Sequence, residues 1–424
     1  MSRTRIVKGK ITEIVGEDLR YYSEKDITES AAKTFAEKSG TRILHKGNPG
    51  SPPPSPTLAK CAVFFRPTKS WLGEFGFDWV RVEDSKLQVD NSYNGIIGKY
   101  GVIYGSEPGA KFTADTNKYK SILGEYNFFS VYSGRYIVPN MTLTVGQTAT
   151  LNTIIHVEEK PDKLHYAYNT DIFDIIILKR FTTAKGINFD ENSVSIKCKK
   201  SFSSPETIRI IATKNKLMQK VGEIKILPNN SNKKIDIVII PVENNGFIGH
   251  FIPNEQQILI NALKQSYITP SIEPYKTPIN VDSAWFNFWF KTGKKLDSSA
   301  IFSIHSHLDK IFFKVKGNKT KYSSYYRIYL LKGADIALNG EADDIDSPNS
   351  SIVVFDRPTN GRNKSTMAHE LLHAMGLYHS FDNDSTYTFE IFKTDNIMDY
   401  THQKRKNRFS TNKFQWKKIN PSIK

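Results

Sequence analysis

The sequence predicts a multidomain chain in which all-β modules fill the first half and an α+β domain follows. Three observations predict this. Short runs that alternate apolar and polar residues recur between residues 58 and 230, separated by turn residues. A Pro-rich stretch and an Asn-rich stretch interrupt the chain near 47–57 and 229–232. Beyond residue 233 the pattern becomes strand, helix, strands, helix.

Residues 1–46 alternate β-like runs such as Lys10-Ile11-Thr12-Glu13-Ile14-Val15 with polar residues, and read as a β-rich targeting segment. Gly47-Asn48-Pro49-Gly50-Ser51-Pro52-Pro53-Pro54-Ser55-Pro56 can join neither a helix nor a central strand, so 47–57 is a stiff linker. A small β module is expected over 58–134, around Ala62-Val63-Phe64-Phe65. Its dense segment Trp71-Leu72-Gly73-Glu74-Phe75-Gly76-Phe77-Asp78-Trp79 reads as one strand's core residues plus a turn in preference to a ligand surface. Over 135–230, Met141-Thr142-Leu143-Thr144-Val145 and Ala149-Thr150-Leu151-Asn152-Thr153-Ile154-Ile155 flank a Gly146-Gln147 turn. Further strand candidates lie at 175–178, 194–196, 208–211 and 221–226, a spacing that predicts an immunoglobulin-like sandwich. In the last domain, 233–424, strands are expected at 235–242, 326–331 and 351–355, and helices at 255–267 and 363–378.

Composition bounds the function. Of 424 residues 39% are hydrophobic and 24% charged, which fits a soluble globular protein. The formal net charge of +16 fits an acidic partner or a Lys-rich solvated surface. No recognition motif accompanies the charge, so nucleic acid is not an expected partner. Its densest cluster, Lys404-Arg405-Lys406-Asn407-Arg408, is short. No run reaches the length of a membrane span, and the N-terminus lacks the apolar stretch of a signal peptide. Secretion would therefore use a route without a cleaved leader; the alternative location is the cytoplasm. Two cysteines, Cys61 and Cys198, allow one disulfide or two buried free thiols.

The chemistry concentrates in Ala368-His369-Glu370-Leu371-Leu372-His373-Ala374-Met375-Gly376-Leu377-Tyr378-His379. On a helix, His369 and His373 lie one turn apart on one face and can share a zinc ion. Glu370 points about 100° away, off the metal and beside the water it would activate, where a carboxylate serves as general base. Catalytic zinc takes three protein ligands and keeps an open position, and His379 is the third. A straight helix would carry His379 about 9 Å past His373. Gly376 can end the helix in the left-handed region and turn the chain back.

These residues resemble the metzincin clan of zinc peptidases, whose helix motif His-Glu-x-x-His-x-x-Gly-x-x-His is filled at every fixed position. The clan's methionine turn is similar to Thr394-Asp395-Asn396-Ile397-Met398-Asp399-Tyr400, with Met398 beneath the metal. Ser380 after the third histidine is similar to matrix metalloproteases. Tyr400 instead looks like the astacin and serralysin pattern, which implies a tyrosine that steadies the oxyanion of the tetrahedral intermediate; packing under the turn is the alternative role. The resemblance implies a zinc metalloendopeptidase with a protein or peptide substrate extended along an edge strand, either 351–355 or 334–338. His402 reads as a surface residue, and Cys61 as a conceivable thiolate cap on a latent zinc. Residues 9–27, the Pro-rich linker and the Trp71 segment look similar to leading regions of bacterial effectors loaded onto the spike or tube of contractile injection machinery. The expected protein is thus an exported effector or toxin, its β modules serving delivery or docking. The competing reading is a non-catalytic, adhesin-like β-rich binding protein with an inert metal site. Glu370 favours the enzyme, because a structural site needs no base.

Overall fold

A computed structural model describes residues 36–37, 58–101, 111–281, 298–332, 338–356 and 362–423, with backbone alone at 298–303. The expected targeting segment and linker, apart from residues 36–37, lie outside the described residues, as does most of the edge candidate 334–338. The chain divides at residue 58, and Ala59–Lys424 is the larger of the two units. It is β-rich and built on several sheets. Among the described residues no helix is long and apolar enough to cross a membrane.

Two sheets form a sandwich. One runs Cys61–Pro67, Thr148–Val157, Gly186–Cys198, Phe173–Ile177, all antiparallel. The other runs Gly76–Asp78, Asn140–Thr142, Leu217–Ile226, Glu206–Lys214, Lys163–Ala167. Alternate residues of both sheets point inward, among them Val63, Phe65, Leu151, Ile155, Val194 and Ile196 against Phe77, Met141, Ile208, Ile210 and Ile224. Two strands expected in a separate module at 58–134 thus belong to the sandwich instead. Cys61–Pro67 pairs along its whole length with Thr148–Val157, since Cys61, Val63 and Phe65 find an apolar partner only there. Trp71, Phe75, Phe77 and Trp79 are buried in the same core. So are Cys61 and Cys198, both as free thiols.

The following segment forms a mixed sheet. Lys233–Asn244, Tyr326–Lys332 and Ser351–Asp356 are parallel neighbours, and Ile268–Pro274 joins them on the far side of Lys233–Asn244. Gly340–Ala342 pairs antiparallel with Ser351–Asp356 and forms one edge. Period-two patterning divides the strands between two cores. Ile237, Ile239, Ile328, Leu330, Ile352 and Val354 face helices Glu255–Lys264 and Thr366–Ala374. Val238, Ile240, Tyr329, Leu331, Val353 and Phe355 face Leu308 and Phe312 of helix Ser298–Lys314. The edge candidate 351–355 is corrected here: that strand is paired on both sides and buried throughout, which leaves Gly340–Ala342 as the edge.

The boundary expected at 134/135 also fails to coincide with a break in packing. Ile97–Tyr100 pairs with Thr388–Phe389, and Val80, Tyr93, Ile97 and Ile122 share a core with Tyr387 and Phe389. Asp78 receives the backbone N–H of Lys413 at 3.0 Å, at the start of helix Lys413–Ile419. Arg81 grips Asp395 through two hydrogen bonds of 2.9 and 3.1 Å. Residues from the first third of the chain therefore pack against the segment that follows His379.

Candidate metal centre

Helix Thr366–Ala374 is buried at every position, and its apolar residues Met367, Ala368, Leu371 and Leu372 seat it on the mixed sheet. It ends earlier than the expected 378 because Gly376 takes φ = +101°. The Gly376 N–H donates to the His373 carbonyl and the Leu377 N–H to the Leu372 carbonyl, the paired bonds of a Schellman turn. Leu372 and Leu377 pack in one core beside it. Asp346 and Ser347 donate backbone N–H groups to the carbonyls of His373 and Ala374, satisfying the helix end from a neighbouring loop.

This turn brings His379 back to the helix. His373 Nε2 lies 3.2 Å from His369 Nε2 and 3.1 Å from His379 Nε2. The Nδ1 atoms of the helix pair point the other way: His369 Nδ1 donates to the Ile397 carbonyl at 2.8 Å and His373 Nδ1 to the Leu377 carbonyl at 2.6 Å. With their ring protons committed there, the Nε2 lone pairs face one another. Burial and the Arg408 charge hold His369 well below the usual imidazole range, and burial brings His373 down to about 4, so both rings stay neutral. Clustered lone pairs repel unless a cation lies between them. Three imidazole nitrogens on a tetrahedral zinc stand about 3.3 Å apart, given Zn–N bonds of about 2.0–2.1 Å. The donor set therefore fits zinc, and it is the one group of three or more potential ligands among the described residues.

Glu370 lies on the same helix, 8% exposed. Burial pushes its carboxyl up to about 8, opposed by the Arg408 charge and by a hydrogen bond from the Ala342 backbone N–H, and assisted by the neighbouring Glu341. Gly340, on the same edge strand, makes room for it: a Cβ there would stand 2.8 Å from Glu370 Cγ and 2.8 Å from Thr366 Cγ2.

The turn 394–400 lies against the site. Met398 is fully buried in the core that carries the helix. Its backbone carbonyl accepts from the Ser380 N–H, just after the third histidine. The Asp399 carboxylate gathers the N–H groups of Phe392, Thr394 and Tyr400 and the Thr394 hydroxyl, which fixes the loop. The Tyr400 ring stands 4.9 Å from His379 and 5.8 Å from His369. Phe381 stacks on His379 at 4.8 Å.

Of the residues singled out in the sequence, the fold brings His369, His373 and His379 together, with Glu370 on the same helix, Gly376 at the turn between them, the Tyr400 ring beside His369 and His379, and Met398 buried in the core under the helix with its carbonyl on Ser380. Two other expectations concern His402 and Cys61. His402 is half-buried and stands outside the three-histidine group, and burial with the Arg408 charge pushes it down to about 3. Cys61 lies in the sandwich core with its thiol pushed up to about 11 by burial, which disfavours a zinc-capping thiolate.

Three residues near the centre were not legible. Gly340 and Ala342 act through backbone shape on a strand that no local pattern marks as an edge. Arg408, counted in the sequence among exposed charges of the 404–408 cluster, is 5% exposed and touches His369. Neither a scan of protein-family models nor a search of curated protein sequences finds a match to this chain.

Proposed function

We propose that the chain is a zinc-dependent endopeptidase of metzincin type, with His369, His373 and His379 as metal ligands and Glu370 as general base. The observation that carries this reading is the convergence of three imidazoles, with His373 Nε2 3.1–3.2 Å from the other two and all three within 4.8 Å of one another, beside the buried Glu370 carboxyl on the same helix as two of them. A purely structural zinc site is closed by a fourth protein ligand and needs no base, and the described residues offer only three. The antiparallel edge strand above the helix, and the methionine turn below it, agree with the same reading.

Zinc bound here would polarise the scissile carbonyl and acidify the attacking water. The protein's own groups do the rest. Gly340–Ala342 offers an edge to which an extended peptide can pair. Burial alone favours the protonated Glu370; with the charge of a bound zinc beside it the carboxyl would ionise and, aimed by the Ala342 N–H, would take the proton of the attacking water and return it to the leaving amine. Tyr400, whose ring lies close to two of the three histidine rings, would donate its hydroxyl to the developing oxyanion.

The test compares wild type with Glu370→Gln by zinc content and by a proteome-wide cleavage profile. Both proteins should carry about one zinc per chain, and the variant should lose about 10²–10⁴-fold in cleavage rate. Equal cleavage by the two proteins, or a wild type that cleaves nothing while holding zinc, refutes the peptidase assignment.

A further inference from the structure

One charged group of the centre has no part in the chemistry above. Arg408 is buried, and its hydrogen-bond partners are all neutral. Nε donates to Ser365 Oγ at 2.6 Å and Nη1 to the Asp399 carbonyl at 2.8 Å, while Nη1 also lies 3.0 Å from His369 Nδ1. Burial brings the guanidinium down to about 10, still cationic at neutral pH, with Glu370, Tyr400 and Asp399 supporting the charge.

A zinc-ligating imidazole normally gives its second N–H to a carboxylate or carbonyl, which raises the basicity of the nitrogen on the metal. His373 has that arrangement, with Leu377 alone. His369 has a carbonyl and a guanidinium on the same nitrogen. Its ring proton goes to Ile397, so Nη1 has no lone pair there to bond. A cation pressed against that edge withdraws electron density from the ring and repels any metal bound at Nε2.

We propose that Arg408 makes His369 a weak ligand, so that the centre binds zinc less tightly than its three histidines alone would. This rests on the zinc reading above. A mere strut predicts the opposite sign. Arg408 ties Ser365, at the start of the helix, to Asp399 in the methionine turn. If that were all it did, removing it would loosen the site and weaken zinc.

The experiment measures zinc affinity of the full chain by competition with a chromophoric chelator, for wild type, Arg408→Gln and Ser365→Asp. The first variant removes the charge. The second keeps arginine and sets a carboxylate within reach of Nε; aspartate is also a favourable residue at a helix start, so this variant serves where Arg408→Gln does not fold. Both should bind zinc at least about tenfold more tightly than wild type. A folded variant of either kind that binds zinc equally or more weakly overturns the proposal. A wild type that binds no zinc, or a His373→Ala protein that binds it as well as wild type, instead refutes the metal assignment itself.

Discussion

Replacing Arg81 by methionine tests whether the metal centre depends on the first part of the chain. Arg81 is 6% exposed, holds both oxygens of Asp395, and stacks with its guanidinium 3.5 Å from the centroid of Trp79. Asp395 is 4% exposed and lies three residues before Met398. It keeps one other side-chain partner, the Ser410 hydroxyl at 2.6 Å. Arg81→Met therefore strands a buried carboxylate, which costs about 3–5 kcal/mol. At about 2.1 cal/mol/K per residue, a cooperative unit the size of 59–424 has an unfolding entropy near 0.8 kcal/mol/K, so the midpoint should fall by roughly 4–6 °C. Calorimetry reads the shift, and chelator competition reads zinc on the same sample. Zinc should bind more weakly, because the displaced turn carries the Ile397 carbonyl that orients His369. Arg81→Met combined with Asp395→Leu removes one of the two buried carboxylates that Arg81 faces, the other being Asp90 at 3.8 Å, and should recover part of the lost stability. A single variant that melts within roughly 1 °C of wild type with unchanged zinc affinity would refute the coupling.

Other perturbations read the site more locally. Gly340→Ala places a Cβ against Glu370 and Thr366, so kcat should fall about tenfold or more with zinc retained; unchanged kcat would mean the edge strand does not set the base. Gly376→Ala must hold φ = +101° with a side chain 2.9 Å from Asp346 Oδ1, which costs about 1–3 kcal/mol and moves His379 off the metal, so zinc content measured after gel filtration should drop. Tyr400→Phe should lower kcat by about 10²-fold with KM little changed; full activity on a peptide would leave Tyr400 a packing residue. Cys61, with its thiol raised to about 11 by burial, is protonated in the native state up to about that pH, so thiol reagents at pH 8 should modify neither cysteine until denaturant is added.

The parts of this fold that depend on local repetition were legible. Period-two runs marked strands within 148–157, 208–211 and 221–226, and the pattern over 363–378, with His369 and His373 one turn apart, marked the helix. The helix end was legible because one glycine at one offset leaves few alternatives. What stayed hidden depends on partners far along the chain. Nothing around Arg81 announces Asp395, 314 positions later. Nothing in Ser351-Ile352-Val353-Val354-Phe355 says whether one or both of its sides are paired, and only the fold shows a strand buried throughout between two neighbours. Arg408 was misread because a basic run is usually a solvated face, and only the fold places one member of this run against His369.

The distribution of ordering cost explains why so distant a segment matters to the centre. His369 and His373 sit on a helix that apolar packing fixes in any case, so aligning them costs little beyond that packing. His379 and the turn 394–400 are loop residues, and fixing each costs about 1–2 kcal/mol of backbone entropy. Seven turn residues thus require roughly 7–14 kcal/mol. The four hydrogen bonds collected by the Asp399 carboxylate return about 1.5–3 kcal/mol each at best, as bonds to a charged acceptor. That range leaves the turn near balance or short of it on its own bonds. The remainder comes from groups that reach in from elsewhere: Arg81 on Asp395, and the Asn412 and Gln415 side chains on Asn396, the Asn412 amide in turn donating to the Tyr93 hydroxyl. Two of those groups, Arg81 and Tyr93, precede the sandwich's Asn140–Thr142 strand in the chain. The role of residues 78–100 is consequently part of building the site, and a fragment that begins at 233 should lack the ordered turn even where its helix forms.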